Sequence, residues 1–375
     1  MIKILIAGDY CPQERIAKMI EEEDYSFLNE VCDLTSKVDY SIVNLECPVT
    51  NEDYHNPIIK SGRNLKCTPR AIDAIKHAGF NCVTLANNHL NDFGEAAIIE
   101  TLDVIKAKSL NYVGGGKTLK DSQMPLLLHI SNKVVSIINV CEQEFSIASH
   151  YRAGAAPIDL IDIQRTIMSC KNKSDYILVI VHGGHEMYQL PSPMMQKAYR
   201  WFIDLGADTV INHHQHCYSG YELYQNKPII YGLGNFCFDK PSQRHTIWNE
   251  GYMVELCLDD EILFKVIPYD QCNDKPEINL KSIEATENFH HSLKALCNII
   301  DDPLLVEVEF ERYCKNNLSN IIGLFSPYRN RYLRGAAKRG LLPSFLTKKK
   351  TTTLFDYINC DAHRNVVLKC LSDML

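Results

Sequence analysis

Several features that would each fix a function class are missing from this 375-residue sequence. There is no CxxC pair, which removes zinc ribbons and thioredoxin-like redox sites. No stretch approaches the roughly 18 consecutive apolar residues of a membrane span. The opening MIKILIAGDY reaches Gly8-Asp9 after a short apolar run, too brief and too weakly basic for a signal peptide. An excess of positive charge is also lacking. Lys and Arg number 39 against 46 Asp and Glu, for a net charge of −7 with histidine neutral. Nucleic acid is therefore not expected as a partner, because neutralising phosphates takes surplus Lys and Arg on a surface. Glycine and proline, at 18 and 15, are too few for collagen or a low-complexity chain.

What is present suits a globular protein, with 46% hydrophobic and 23% charged residues. At roughly 150 residues per domain, the length predicts about two domains with a core that needs no disulfides. The 15 cysteines are odd in number and widely scattered, unlike a secreted disulfide framework. Cys82, Cys237 and Cys257 sit in apolar runs and read as small buried hydrophobes. A reducing, cytoplasmic setting is expected.

Short β-branched runs alternate with helical spacing. Strands are predicted at Ile2–Ala7, Tyr40–Asn44, Asn81–Leu85, Tyr176–Val181, Asp208–Ile211, Ile229–Leu233, Tyr252–Leu258 and Ile262–Ile267. Leu126–Ile130 and Val134–Val140 read as a hairpin about Ser131-Asn132. Helices are predicted at Pro69–Ala78, Ala96–Lys108, Ile158–Cys170 and Pro193–Leu205. The alternation is an α/β signature. Residues 276–375 show no strong strand run and read as helical. The domain boundary is therefore expected near 272–280, with 1–272 as the α/β domain and 273–375 as a helical extension. Val113-Gly114-Gly115-Gly116-Lys117-Thr118 lacks the spacing of a phosphate-binding loop and predicts a turn.

Within the extension, Arg312 to Phe355 holds ten Lys/Arg and no Asp/Glu. Arg331, Arg334, Lys338 and Arg339 lie near Leu341, Leu342 and Phe345. This segment, 312–355, reads either as a surface for anionic lipid or anionic polymer, or as a solvated face docking on the acidic main domain.

The polar clusters fall just past the carboxyl ends of predicted strands, where α/β folds build their sites. They are Gly8-Asp9, Asn44-Leu45-Glu46, Asn87-Asn88-His89, His182-Gly183-Gly184-His185-Glu186 and His213-His214-Gln215-His216. Taken singly, Asp9 fits a turn or cap, Glu46 a surface charge, and Asn87-Asn88-His89 turn chemistry. Three imidazoles within four residues rarely serve packing. Together Asp9, Glu46, Asn88, His182, His214 and His216 form a mixed oxygen and nitrogen set. Such a set suits Mn²⁺, Fe²⁺ or Zn²⁺ and not Ca²⁺. Six ligands exceed one tetrahedral zinc and match two ions sharing a carboxylate, a centre that supplies a nucleophile at neutral pH.

The order of these motifs, with Gly-Leu-Gly-Asn-Phe at 232–236, resembles the CapA family of capsule or poly-γ-glutamate synthesis accessory proteins. The matching stretches are Ala86–Gly94, Val181–Tyr188, Gly206–His216 and Pro228–Asp239. The resemblance covers about residues 1–270 and implies a four-layer α/β/β/α metallophosphoesterase-like sandwich. It also implies roles. Asp9 and His216 would bind a first metal, Glu46 would bridge, and Asn88, His182 and His214 would bind a second. His89 would be a catalytic general acid rather than a ligand, with Glu186 also catalytic. Asn87, His185, His213 and Asn235 would lie on the substrate side. The implied function is a metal-dependent, phosphoesterase-like hydrolase in cell-surface polymer synthesis, cytoplasmic or held at the inner face of the membrane. The alternatives are a non-catalytic component of a synthesis or export complex, or an enzyme of amide or γ-glutamyl bonds. The first motif departs from other metallophosphoesterases, which have Asp-X-His where this chain has Asp9-Tyr10-Cys11. Either a ligand is missing there or Cys11 replaces it as a thiolate. Gly183, Asn212 and Gln215 also replace the usual Trp, Gly and Pro, and Glu46 stands for the usual Asp.

Overall fold

The computed structural model describes all residues except 52–55, 326–327, 329, 340, 344–346 and 373–375, and leaves aside the side chains of 334, 337, 338 and 372. It divides into two compact units, Met1–Val306 and Glu307–Leu375.

Two sheets form the centre of the first unit. One runs Ile278–Leu280, Ile262–Gln271, Glu250–Leu258, Ile2–Tyr10, Tyr40–Leu45, Cys82–Thr84 and Asn111–Val113. The last four of these strands are parallel, and the short strand Asn235–Cys237 adds to the end of the first strand beside Asp9 and Tyr10. The other runs Tyr221–Tyr224, Lys227–Ile230, Thr209–His213, Tyr176–His182, Lys133–Cys141 and Leu126–Ile130, with the inner four parallel.

Side chains alternate across a strand, and both faces of these strands are apolar, so each sheet is covered twice. Ile4 and Ile6 join Leu178, Ile180 and Ile211 in a core between the sheets. Leu5 and Ala7 face the other way, into a core shared with helices Arg70–His77 and Gly94–Ala107. Val179, Val181 and Val210 likewise pack under Leu160–Lys171 and Pro193–Leu205. The result is the expected four layers, helix, sheet, sheet and helix. Local signals place the helices. The Asp159 side chain caps Leu160–Lys171. Ser192 caps Pro193–Leu205, and Gly206 ends it at φ 117°.

The boundary is later than expected. Ile278–Leu280 pairs antiparallel with Ile262–Gln271, a strand too short to show in the sequence. Helix Ile283–Ile300 then buries Phe289, Leu293, Cys297 and Ile300. Residues 273–306 therefore belong to the first unit, and the second begins at Glu307 rather than 273. Gly115–Gly116 is not a simple turn but pairs with Gly154–Ala155. The second unit is helical. It contains the remainder of Pro303–Leu324, then Arg331–Lys338, Lys348–Asn359 and Asp361–Ser372. Of the basic-segment residues singled out above, Phe345 and the side chains of Arg334 and Lys338 lie outside the described set.

Candidate metal centre

The parallel strands of the two sheets bring their carboxyl ends to one edge, and five chain segments converge there. Asp9 ends the first strand, Glu46 follows the second, and Asn88 follows Cys82–Thr84. His182 ends Tyr176–His182, while His214 and His216 follow Thr209–His213. All six are buried.

Two sets of donor atoms, each within 4.8 Å of one another, emerge: Glu46, His182 and His214, and Asp9, Glu46 and His216. Glu46 belongs to both. Glu46 Oε1 lies 3.3 Å from His182 Nε2 and 3.7 Å from His216 Nε2. His214 Nδ1 is 3.1 Å from His182 Nε2, which is also 3.0 Å from Asn88 Oδ1. The Asn44 amide donates to Asp9 Oδ1 at 2.7 Å and lies 3.2 Å from His182 Nδ1, joining the carboxylate to the imidazole.

Electrostatics test whether a cation fits. Both carboxylate oxygens of Glu46 are buried without a hydrogen-bond donor among the described residues. Burial, then the charges of Asp9 and Glu186, push the Glu46 carboxyl well above its usual range. An uncompensated buried carboxylate costs several kcal/mol. Burial and mutual repulsion hold His182 far below the ordinary imidazole range, and push His214 down to about 3. Neutral imidazoles are the form that ligates a divalent cation, and such an ion would displace the proton from Glu46 and compensate its buried charge. The donor set fits one.

Local backbone conformation aims these groups. His214 and His216 both adopt left-handed φ, 92° and 55°. Non-glycine residues pay about 1–3 kcal/mol for such strain. It is held in place: Gln215 between them donates to the carbonyls of Tyr188 (3.0 Å) and Leu190 (3.3 Å). Asn235 Oδ1 lies 2.9 Å from His216 Nδ1, which can donate to it and so leave Nε2 toward Glu46. The loop at Asn87–His89 is pinned from the other sheet. Asn139 Oδ1 accepts from the backbone of Leu85 and Ala86, and its amide donates to Ile180. Gly8 lets the strands meet. A Cβ there would lie 1.9 Å from the Gly234 carbonyl oxygen, so a side chain would push away the segment that carries Asn235.

A cleft of about 540 Å³ opens onto this edge, lined by Asn88, His89, Glu186 and His216 among others. His89 Nδ1 is 2.6 Å from Asp92 Oδ2 and 3.0 Å from Lys60 Nζ. Lys60 also pairs with the other oxygen of buried Asp92. Asp92 and Lys60 were not singled out in the sequence. Asp92 follows His89 at a spacing that reads only as loop, and Lys60 comes from a segment without periodicity.

The four residues expected on the substrate side have the following surroundings. Asn87 is buried, donates to the Leu45 carbonyl and accepts from His89 N, so it shapes the loop. His213 is buried with Nε2 3.0 Å from the Ala7 carbonyl, tying one sheet to the other. His185 packs its ring on Tyr188. Asn235 is buried against His216 and the Trp248 carbonyl. Cys11 is absent from both donor sets. It lies in the helix-covered core with Cys47 and Cys67, where burial pushes its thiol up to about 11.

A family model described as "Bacterial capsule synthesis protein PGA_cap" matches residues 3–240. The capsule biosynthesis protein CapA of Bacillus anthracis is 29% identical over 183 residues, covering 47% of this chain and 44% of that one. The PGA biosynthesis protein CapA of Bacillus subtilis is 28% identical over 181 residues, covering 47% of each. The chain thus spans about half the length of the curated relatives it matches. A solved structure described as a novel phosphatase of Mycoplasma pneumoniae has a TM-score of 0.49 at 16% identity, covering 78% of this chain and 98% of that one.

Proposed function

Since the chain belongs to the bacterial capsule synthesis protein PGA_cap family, we propose that it is a metal-dependent, phosphoesterase-like hydrolase acting in capsule, poly-γ-glutamate or other cell-surface polymer synthesis. The observation that carries this reading is Glu46, buried without a hydrogen-bond donor among the described residues and shared by two sets of ligand atoms. Asp9 and His216 would hold one divalent ion, His182, His214 and Asn88 the other, and Glu46 both. Mn²⁺, Fe²⁺ or Zn²⁺ suit these donors. When bound, two such ions supply Lewis acidity and a nucleophile at neutral pH.

The chain's own groups do the rest. His89 is positioned by Asp92 through Nδ1, which leaves Nε2 to give a proton to the leaving oxygen at the cleft. Lys60 pairs with the other oxygen of Asp92 and lies beside the same His89 Nδ1. Asn235 and Asn44 act as positioning residues, the first through His216 and the second through Asp9 and His182. Exposed Glu186 stands at the cleft wall, where it can orient substrate or water. The cytoplasmic setting belongs to the same proposal.

A second reading, a non-catalytic component of a polymer synthesis complex, is favoured by Cys11. With a thiol in the helix-covered core in place of a ligand, the Asp9 set has three His and carboxylate donors among the described residues. The discriminating experiment is turnover by the full chain with Mn²⁺ on chromogenic phosphomonoesters and phosphodiesters, beside His89→Ala. Turnover lost in His89→Ala supports the hydrolase. Metal binding with no turnover on phosphoesters supports the accessory component. Release of glutamate or amine from poly-γ-glutamate would move the cleaved bond to an amide.

A further inference from the structure

The second unit carries an apolar face that the metal centre does not use. On helix Pro303–Leu324 and the residue after it, Leu318, Ile321, Ile322 and Phe325 recur at the spacing of one helix face. They are between 43% and 55% exposed. The surrounding helical positions Asn316, Asn317, Ser319 and Asn320 are polar and uncharged. Helix Lys348–Asn359 repeats the pattern. Lys348, Lys349 and Lys350 open it, and Phe355 and Ile358 are exposed one to two turns further on. Lys348 and Phe355, seven residues apart, share a face.

We propose that this unit binds the surface of an anionic bilayer, with its apolar residues in the headgroup boundary and its lysines over acidic lipid. Charge complementarity names the occupant: 312–355 holds ten Lys/Arg and no Asp/Glu, in a chain of net charge −7. The apolar face distinguishes lipid from a soluble anionic polymer, which offers nothing for Ile321, Ile322 and Phe325 to enter. Among the described residues no helix is long and apolar enough to cross a membrane, so the attachment is to one face of it. It is independent of the chemistry at the metal centre.

The experiment is sedimentation of the full chain with vesicles of phosphatidylcholine alone and with phosphatidylglycerol added. Two variants accompany it: Lys348→Glu with Lys349→Glu and Lys350→Glu, and Ile321→Asn with Ile322→Asn. Circular dichroism checks that the helices persist. The expected result is binding that needs phosphatidylglycerol, weakens with salt, and falls by at least about tenfold in each variant. Four results would overturn the proposal. The first is no sedimentation with phosphatidylglycerol vesicles. The second is binding indifferent to Ile321 and Ile322, which would indicate charge alone. The third is a dimer in solution that the isoleucine variant converts to monomer, which would make a second copy the occupant. The last is helices lost in both variants while the wild type fails to bind.

Discussion

Glu46 decides more of the site's energetics than any other side chain. A carboxylate with neither oxygen hydrogen-bonded inside a protein is destabilising unless a cation joins it. Glu46→Gln should therefore raise the melting temperature of the metal-free protein and remove any rise on adding Mn²⁺, as scanning calorimetry would read. A metal-free melting temperature that falls would mean that Glu46 is compensated in some other way. His89 and Asn235 separate chemistry from ligation. His89→Ala should leave metal content intact and slow turnover by about 10²–10⁴-fold. Asn235→Ala should weaken metal affinity about 10–100-fold by freeing His216. Loss of metal in His89→Ala would contradict its placement beside the centre and not in it. Most of these donors were legible in the sequence only jointly: each alone fits a cap, a turn or a surface charge, but together they make one mixed oxygen and nitrogen set after successive strands. The partners were not. Asn235 was expected on the substrate side and not as the partner of His216, and Lys60 lies 32 residues before Asp92 in a segment with no pattern, so only the fold joins them.

At the scale of elements, the positions of most of the longer strands were readable from β-branched runs, and the four layers, which the family resemblance implied, rest on strands apolar on both faces. Short pieces were not readable. Ile278–Leu280 and Asn235–Cys237 are three residues each, and their pairing is set by partners far along the chain. The second of them matters for function, because its place beside Asp9 depends on Gly8. Gly8→Ala should cost about 1–3 kcal/mol of stability as the Gly234 carbonyl is displaced. Bound metal should fall with it, as denaturation and metal analysis of the same sample would show. A variant of unchanged stability and full metal content would mean that the strand end can open without moving Asn235. The loop His213–His216 is the other element that sequence could not resolve. Three imidazoles within four residues pointed to metal without giving a geometry, and the turn that presents His214 and His216 is made by two left-handed residues locked through Gln215.

Over the whole molecule, the candidate ligands and the basic, exposed apolar face lie in different units among the described residues. The acidic α/β unit holds every candidate ligand, and the basic helical unit holds the exposed apolar face. The late boundary follows from this division: residues 273–306 complete a sheet and its cover, a contribution that composition alone could not separate from the tail. The central claim is that one edge of the first unit holds two divalent ions through Glu46. Metal content by mass spectrometry tests it most directly, on full chain purified without a His-tag or chelator, beside Glu46→Gln. The account predicts about two equivalents in the wild type and loss of both in the variant. No metal in the wild type, even after Mn²⁺ or Zn²⁺ is added back, would contradict it.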